Sequence, residues 1–266
     1  MTRHASLPES PARTPPARTP PAHTPPAVRA RWRQLAAPVR FYPLAGRLAP
    51  WCFALAAPCL AIGLWLGFIV APTDAQQGEV YRIIFIHVPA AWMSMFIYLV
   101  MAIYCALALV LRTRLSSMMA SALAPTGAMF TFLALWTGAL WGKPTWGTWW
   151  VWDARLTSEL ILLFLYLGFI ALESAIDEPR RAERACAVLA LVGVVNLPVI
   201  YFSVQWWNTL HQGASVSLTA APTMAATMLA GMLVMTLACW LYTIAVALVR
   251  VRCLMRERGD IREAMQ

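Results

Sequence analysis

The chain has 266 residues, of which 60% are hydrophobic and 12% charged; 21 Lys and Arg against 12 Asp and Glu give a net charge of +9. Globular chains run at roughly 45–50% apolar and ~25% charged. So much apolar surface has no place inside one water-soluble core, and several segments belong in lipid. Soluble enzyme, DNA-binding module and secreted disulfide scaffold are all poor fits.

Residues 1–49 are of different material from the rest. Three tandem pentads, Pro-Ala-Arg-Thr-Pro twice and Pro-Ala-His-Thr-Pro once, run from Pro11 to Pro25. Proline fixes the backbone and removes donors, and the stretch has too little apolar content to offset the entropy of ordering. A disordered, Pro/Arg-rich cytoplasmic tail is predicted. It holds His4 and His23, which are not expected to belong to any site, and no apolar run of the kind a secretory signal needs.

A bilayer core of ~30 Å takes about 20 apolar residues per helix. Six runs meet that need, at 50–70, 87–111, 118–141, 158–172, 185–205 and 224–249. The fourth is short, so it is expected to start earlier or to turn Glu159 toward protein. The fold class predicted is all-α, a polytopic six-helix membrane domain over 50–249 with a tryptophan-rich outer loop at 141–157 and a basic C-terminus at 250–266. With the tail inside, the inner segments hold 18 Arg and Lys and the outer ones three, Arg82, Lys143 and Arg155. Positive charge marks the cytoplasmic side, so both termini are predicted to be cytoplasmic. The basic balance then reports membrane topology rather than nucleic-acid binding.

The unusual residues gather on the outer side. Ten of 13 tryptophans fall at or near it, among them Trp146, Trp149, Trp150 and Trp152 in Trp146-Gly-Thr-Trp-Trp-Val-Trp-Asp153. An aromatic belt would anchor both interfaces, whereas this one is lopsided. If the stretch is helical, positions 146, 149, 150 and 153 share a face. The alternative to a belt is a flat apolar shelf that accepts a planar ligand by stacking. The two histidines outside the tail, His87 and His211, are outer as well. One alone would read as an interfacial hydrogen-bonding residue. Two, flanking a tryptophan shelf, match the two axial positions of a haem iron. A closed zinc site would want four ligands. Arg82, Lys143 and Arg155 are candidate contacts for haem propionates and equally ordinary loop charges. Within the spans, Glu159 is expected to pair with Arg155, and Asn196 to satisfy backbone opened by Pro198.

The run from Trp141 through Trp149-Trp150-Val-Trp152-Asp153 to Glu159 resembles the tryptophan-rich WWD signature of haem-handling proteins. Tyr81-Arg-Ile-Ile-Phe-Ile-His87-Val-Pro-Ala-Ala-Trp92, and Asn196-Leu-Pro198 through Trp206-Trp-Asn-Thr-Leu-His211-Gln-Gly213, are similar to the histidine segments of one branch. That branch is the haem exporter protein C (CcmC) family of system I cytochrome c maturation, which six spans favour over larger relatives. The resemblance covers about residues 40–213. It implies haem b held at the periplasmic face of the bacterial inner membrane, with His87 and His211 as axial ligands and Trp146, Trp149, Trp150, Trp152 and Asp153 at the haem-contacting loop. It also implies presentation of haem to the chaperone CcmE, within an ABC-type complex with CcmA, CcmB and CcmD. No catalysis is expected of this chain, and any ATP hydrolysis falls to a partner. A haem transporter and a purely structural subunit remain the alternatives. Few polar residues line the spans, which favours presentation over translocation.

Overall fold

The computed structural model describes residues 37–207, 209–211, 213, 216 and 221–259. Six of its helical segments are long and apolar enough to cross a membrane, and no strand occurs among the described residues. The first span is α1 (Pro38–Trp65), prolonged by a wider π turn, Leu66–Val70. A 3-10 turn, Glu79–Ile83, leads into α2 (Ile84–Leu111), followed by α3 (Arg114–Trp146) and α4 (Ala154–Ala175). The fifth span is broken into α5 (Pro179–Gly193) and α6 (Asn196–Trp206), and α7 (Ala226–Glu257) is the sixth.

Lipid tails are as apolar as leucine, so helices in a bilayer associate through close packing and polar contacts rather than the hydrophobic effect. α3 obeys that rule. It is the least apolar span and the most buried, 67% against 17% for α1. Its inward face is small and weakly polar, with Ala120, Ala124, Thr131, Ala134, Thr137 and Gly138 among its buried residues. The hydroxyls of Thr131 and Thr137 donate back to the carbonyls of Gly127 and Leu133, at 2.8 and 2.6 Å, so these two polar groups are satisfied within the helix. Against this face pack Met93, Ile97, Tyr98 and Met101 of α2 and Leu162, Tyr166 and Phe169 of α4.

The break in the fifth span has a local cause. Pro198 lacks an N–H and is tolerated in the first turn of a new helix, where that donor is not needed. The amide of Asn196 donates to Ser158 O of α4 at 2.8 Å, a cross-helix bond rather than the local repair expected at Pro198.

Two expected boundaries shift. α1 begins at Pro38, inside the region 1–49 expected to be disordered, and α7 runs to Glu257, beyond the boundary expected at 249. Beyond the bilayer a helix needs no apolar signature, only something to pack on. Phe41 and Tyr42 supply that against Leu115, Met118 and Met255. Tyr42 also accepts a hydrogen bond from Arg256 at 2.5 Å and carries the Arg252 guanidinium 4.4 Å above its ring. The pentads, His4 and His23 lie outside the described residues.

Side-chain contacts sort the loops into two ends. Segments 71–78 and 147–153 and the described residues between α6 and α7 lie at one, where Trp141 Nε1 donates to Gln77 Oε1 at 2.7 Å and Trp146 lies beside His211. The other end is basic. There Arg258 of α7 reaches Glu173 of α4 (3.2 Å) and Glu183 of α5 (2.9 Å).

Candidate functional site

His87 sits in the first turns of α2, buried against α3, with Nδ1 3.0 Å from Thr137 Oγ1. That hydroxyl spends its proton on Leu133 O, so toward His87 it acts as acceptor. With the hydroxyl so engaged, the contact places the ring proton on Nδ1 and leaves the Nε2 lone pair free in that tautomer, the arrangement a metal-ligating imidazole needs. Two α3 residues shape the place. Gly138 leaves room for the ring, because a Cβ there would lie 3.1 Å from His87 Cε1. Trp141, one turn on, meets the ring edge-on at 5.7 Å.

His211 enters from the segment between α6 and α7. Its ring centroid is 6.0 Å from that of His87 and 5.7 Å from that of Trp146. Its Nδ1 is buried and has no hydrogen-bond partner among the described residues. Burial first, then the positive Arg155 and the neighbouring His87, push its pKa down to about 3. The imidazole is neutral at ordinary pH, in the form that binds a metal. Two nitrogens sharing one metal at bonds of ~2.0–2.1 Å stand roughly 4 Å apart, and ring centroids at 6.0 Å allow that spacing. Among the described residues no group of three or more His, Cys, Asp or Glu gathers to hold a bare ion. The donor set suits an iron whose other positions are filled by a macrocycle.

The rings open onto a cavity of about 290 Å³, near the low end for ligand pockets (~300–1,000 Å³). Trp92, Trp141, Trp146 and Arg155 are among its lining residues. Through Trp92, Met95 and Tyr201 it adjoins an almost wholly apolar groove of about 580 Å³ along α2, α6 and α7. Below the histidines lies a polar floor. Glu159 is buried and accepts from Ser94 Oγ at 2.7 Å, and Tyr166 donates to Ser94 O at 2.8 Å. Arg155 donates to Ile200 O at 3.2 Å, so the pairing expected with Glu159 is not a direct contact; both line one small cavity, where the arginine's charge acts on the carboxylate.

The remaining candidates spread outward. Gly147, at φ 79°, ends α3 in a left-handed cap, and Asp153 starts α4 by accepting from Leu156 N at 2.8 Å. The residues between are not helical, so positions 146, 149, 150 and 153 do not form the single helical face considered from the sequence. Trp146 faces His211, whereas Trp149 and Trp152 point outward, 54% and 75% exposed. Trp150 meets Trp152 at 5.3 Å, and its indole N–H, like Asp153 Oδ2, is buried without a partner among the described residues. Lys143 donates to Gly147 O (3.2 Å). Arg82 is held by Glu79 and by Gly67 O (2.7 Å), a carbonyl in the π turn. Of the three cations, Arg155 alone lines the cavity.

Residues 31–266 match the family profile of CcmC, Heme exporter protein C. The chain belongs to that family. It is 56% identical to the Heme exporter protein C of Escherichia coli K12 over 182 residues, 68% of this chain and 74% of that protein. To the Bradyrhizobium diazoefficiens protein of the same name it is 52% identical over 218 residues, 82% of each chain. To that of Paracoccus denitrificans it is 43% identical over 226 residues, 85% and 93% of the two chains.

Thr137, Gly138, Trp141, Trp92 and Ser94 escaped the sequence reading as site residues. Trp92 and Trp141 were visible as outer tryptophans. Trp92 follows His87 by five residues and ends the Tyr81–Trp92 segment, and Trp141 opens the tryptophan-rich run, but neither position by itself points to a histidine. Thr137, Gly138 and Ser94 read as packing residues, because small and hydroxyl side chains are what buried membrane helices generally carry.

Proposed function

We propose that this CcmC-family chain binds haem b at its tryptophan end and presents it to a haem chaperone for c-type cytochrome biogenesis. His87 and His211 are the axial ligands, Trp141 and Trp146 the ring contacts, and Arg155 the propionate partner. The iron supplies two open axial positions and the macrocycle a flat apolar face. The chain's residues do the rest. Thr137 fixes the tautomer of His87, Gly138 makes room for it, and Trp92 closes the cavity wall.

One observation carries this reading: two histidines far apart in sequence lie with ring centroids 6.0 Å apart, and the Nδ1 of one is buried with no hydrogen-bond partner among the described residues. The exposed Trp149 and Trp152 fit a partner-docking role, and CcmE is the chaperone the family's biology points to. CcmA, CcmB and CcmD complete an ABC-type assembly in which ATP hydrolysis and turnover lie outside this chain. The excess of basic residues at the opposite end favours a periplasmic tryptophan end in the inner membrane. Carriage of haem across the bilayer by this chain alone has less support, because Ser94, Glu159 and Asn196 each already hold a protein partner.

The test is an absorption spectrum of the detergent-purified full chain. A low-spin, two-histidine haem spectrum is expected, and His87→Ala with His211→Ala abolishes it without loss of helicity. Retention of the same spectrum in the double variant overturns the ligand assignment.

A further inference from the structure

A cavity of about 840 Å³ lies at the opposite, basic end. Its walls come from the end of α2, the starts of α3 and α5, and the end of α7, with Arg112, Arg114, Arg180, Arg184, Arg258 and Glu183 facing it. The single carboxylate is already engaged, since Glu183 accepts from Arg258 (2.9 Å) and from Ser117 (2.8 Å). Among the described residues no carboxylate pairs with Arg112, Arg180 or Arg184. The cavity is therefore strongly cationic.

Backbone geometry adds to that charge. Arg112 holds the left-handed conformation, φ 53°, which non-glycine residues seldom adopt, and so turns the chain directly from α2 into α3. α3 and α5 both begin at the cavity, at Arg114 and Pro179, and neither has a side-chain cap on its first turn. Thr113, at the cap position of α3, bonds Ser116 Oγ instead (2.7 Å). The uncapped start of α3 carries free N–H groups and about half a positive charge, the arrangement that binds phosphate; at α5 Pro179 has no N–H and Arg181 N already donates to Glu178 O (3.0 Å), so that start adds its dipole alone.

Next to the arginines the surface turns apolar. Ala108 and Leu109 line the cavity, and Val110 and Leu111 beside them are exposed, by 78% and 58%. Charge that merely orients a membrane protein needs no cavity and no helix starts aimed into one. A phosphate held by arginines with acyl chains along the end of α2 uses both halves of the surface.

We propose that this cavity binds the phosphate of an anionic phospholipid from the adjoining leaflet. The site does not depend on the haem reading, and its test leaves the tryptophan end untouched. Full-length protein is delipidated in detergent, supplied with phosphatidylglycerol or phosphatidylcholine, and analysed by native mass spectrometry. A phosphatidylglycerol adduct is expected that phosphatidylcholine does not form. The triple variant Arg112→Gln, Arg180→Gln, Arg184→Gln weakens it by about tenfold or more. Its topology is safe, because 15 basic residues still face three across the membrane.

The matching triple lysine variant keeps the charge and retains the adduct. A control triple outside the cavity, Arg47→Gln, Arg181→Gln, Arg256→Gln, leaves it unchanged. Equal adducts with both lipids, an adduct that survives the first triple, or equal loss in the control overturns the proposal. Displacement of phosphatidylglycerol by millimolar inorganic phosphate makes the source a free anion and overturns the lipid assignment.

Discussion

At the tryptophan end, two imidazoles and several indole rings face the cavity with a single arginine, and among the described residues His211 Nδ1 has no hydrogen-bond partner. At the basic end the walls are guanidiniums, with carboxylates held by Arg258 and by serine hydroxyls. The contrast follows from desolvation. A buried histidine escapes the cost of burial by staying neutral, which leaves a lone pair for a metal. Arginine cannot lose its proton, so a cavity lined with it must stay wet or hold anions. One end is prepared for coordination and stacking, the other for charge.

The largest expected effect breaks the tryptophan end alone. Gly138→Leu pushes side-chain carbon into the ring of His87, and the two-histidine spectrum is lost while far-UV circular dichroism holds. An unaltered spectrum would show that His87 does not need that space. Glu159→Ala removes the acceptor of Ser94 from the buried floor and costs about 1–3 kcal/mol, read as a fall in Tm. No change in Tm would place Glu159 outside the packed network.

Acid discriminates the two ends next. The folded pKa of His211 is depressed to about 3, from an unfolded value of ~6.5. The unfolded state therefore binds the proton first, and stability present above pH ~6.5 is lost as pH falls toward 3. Parent protein should lose Tm relative to His211→Gln across that window, and equal slopes would contradict the burial. The same depression shifts proton competition for a bound metal well below the pH ~6.5 expected of a free histidine.

Smaller still is Arg258→Gln, which frees Glu173 and Glu183. Side chains about 30% exposed make this pair of bridges worth roughly 0–1 kcal/mol, with the haem spectrum unchanged. A changed spectrum would mean that the two ends are coupled. Trp149→Ala with Trp152→Ala should leave both spectrum and Tm in place and weaken only transfer to the chaperone. Loss of the spectrum would bring those exposed rings back to the haem.

The histidines were legible because a histidine beside a membrane span is rare and two on one side are rarer. Arg155 was legible as a candidate but not separable from Arg82 and Lys143. All three are outer cations, and only the backbone decides which one turns inward. The tryptophan cluster misled in part. Density along the chain is not a shared face, and Gly147 and Asp153 end one helix and start the next inside it.

Six spans and an asymmetry of charge follow from the residues themselves, because lipid imposes a length of apolar chain wherever it is crossed and fixes no partner. Where the helices stop, and that His87 meets His211 beside Trp141 and Trp146, rests on contacts between segments 54 to 124 residues apart in the chain. Helix packing among small residues sets those contacts, and no local pattern in the sequence encodes them.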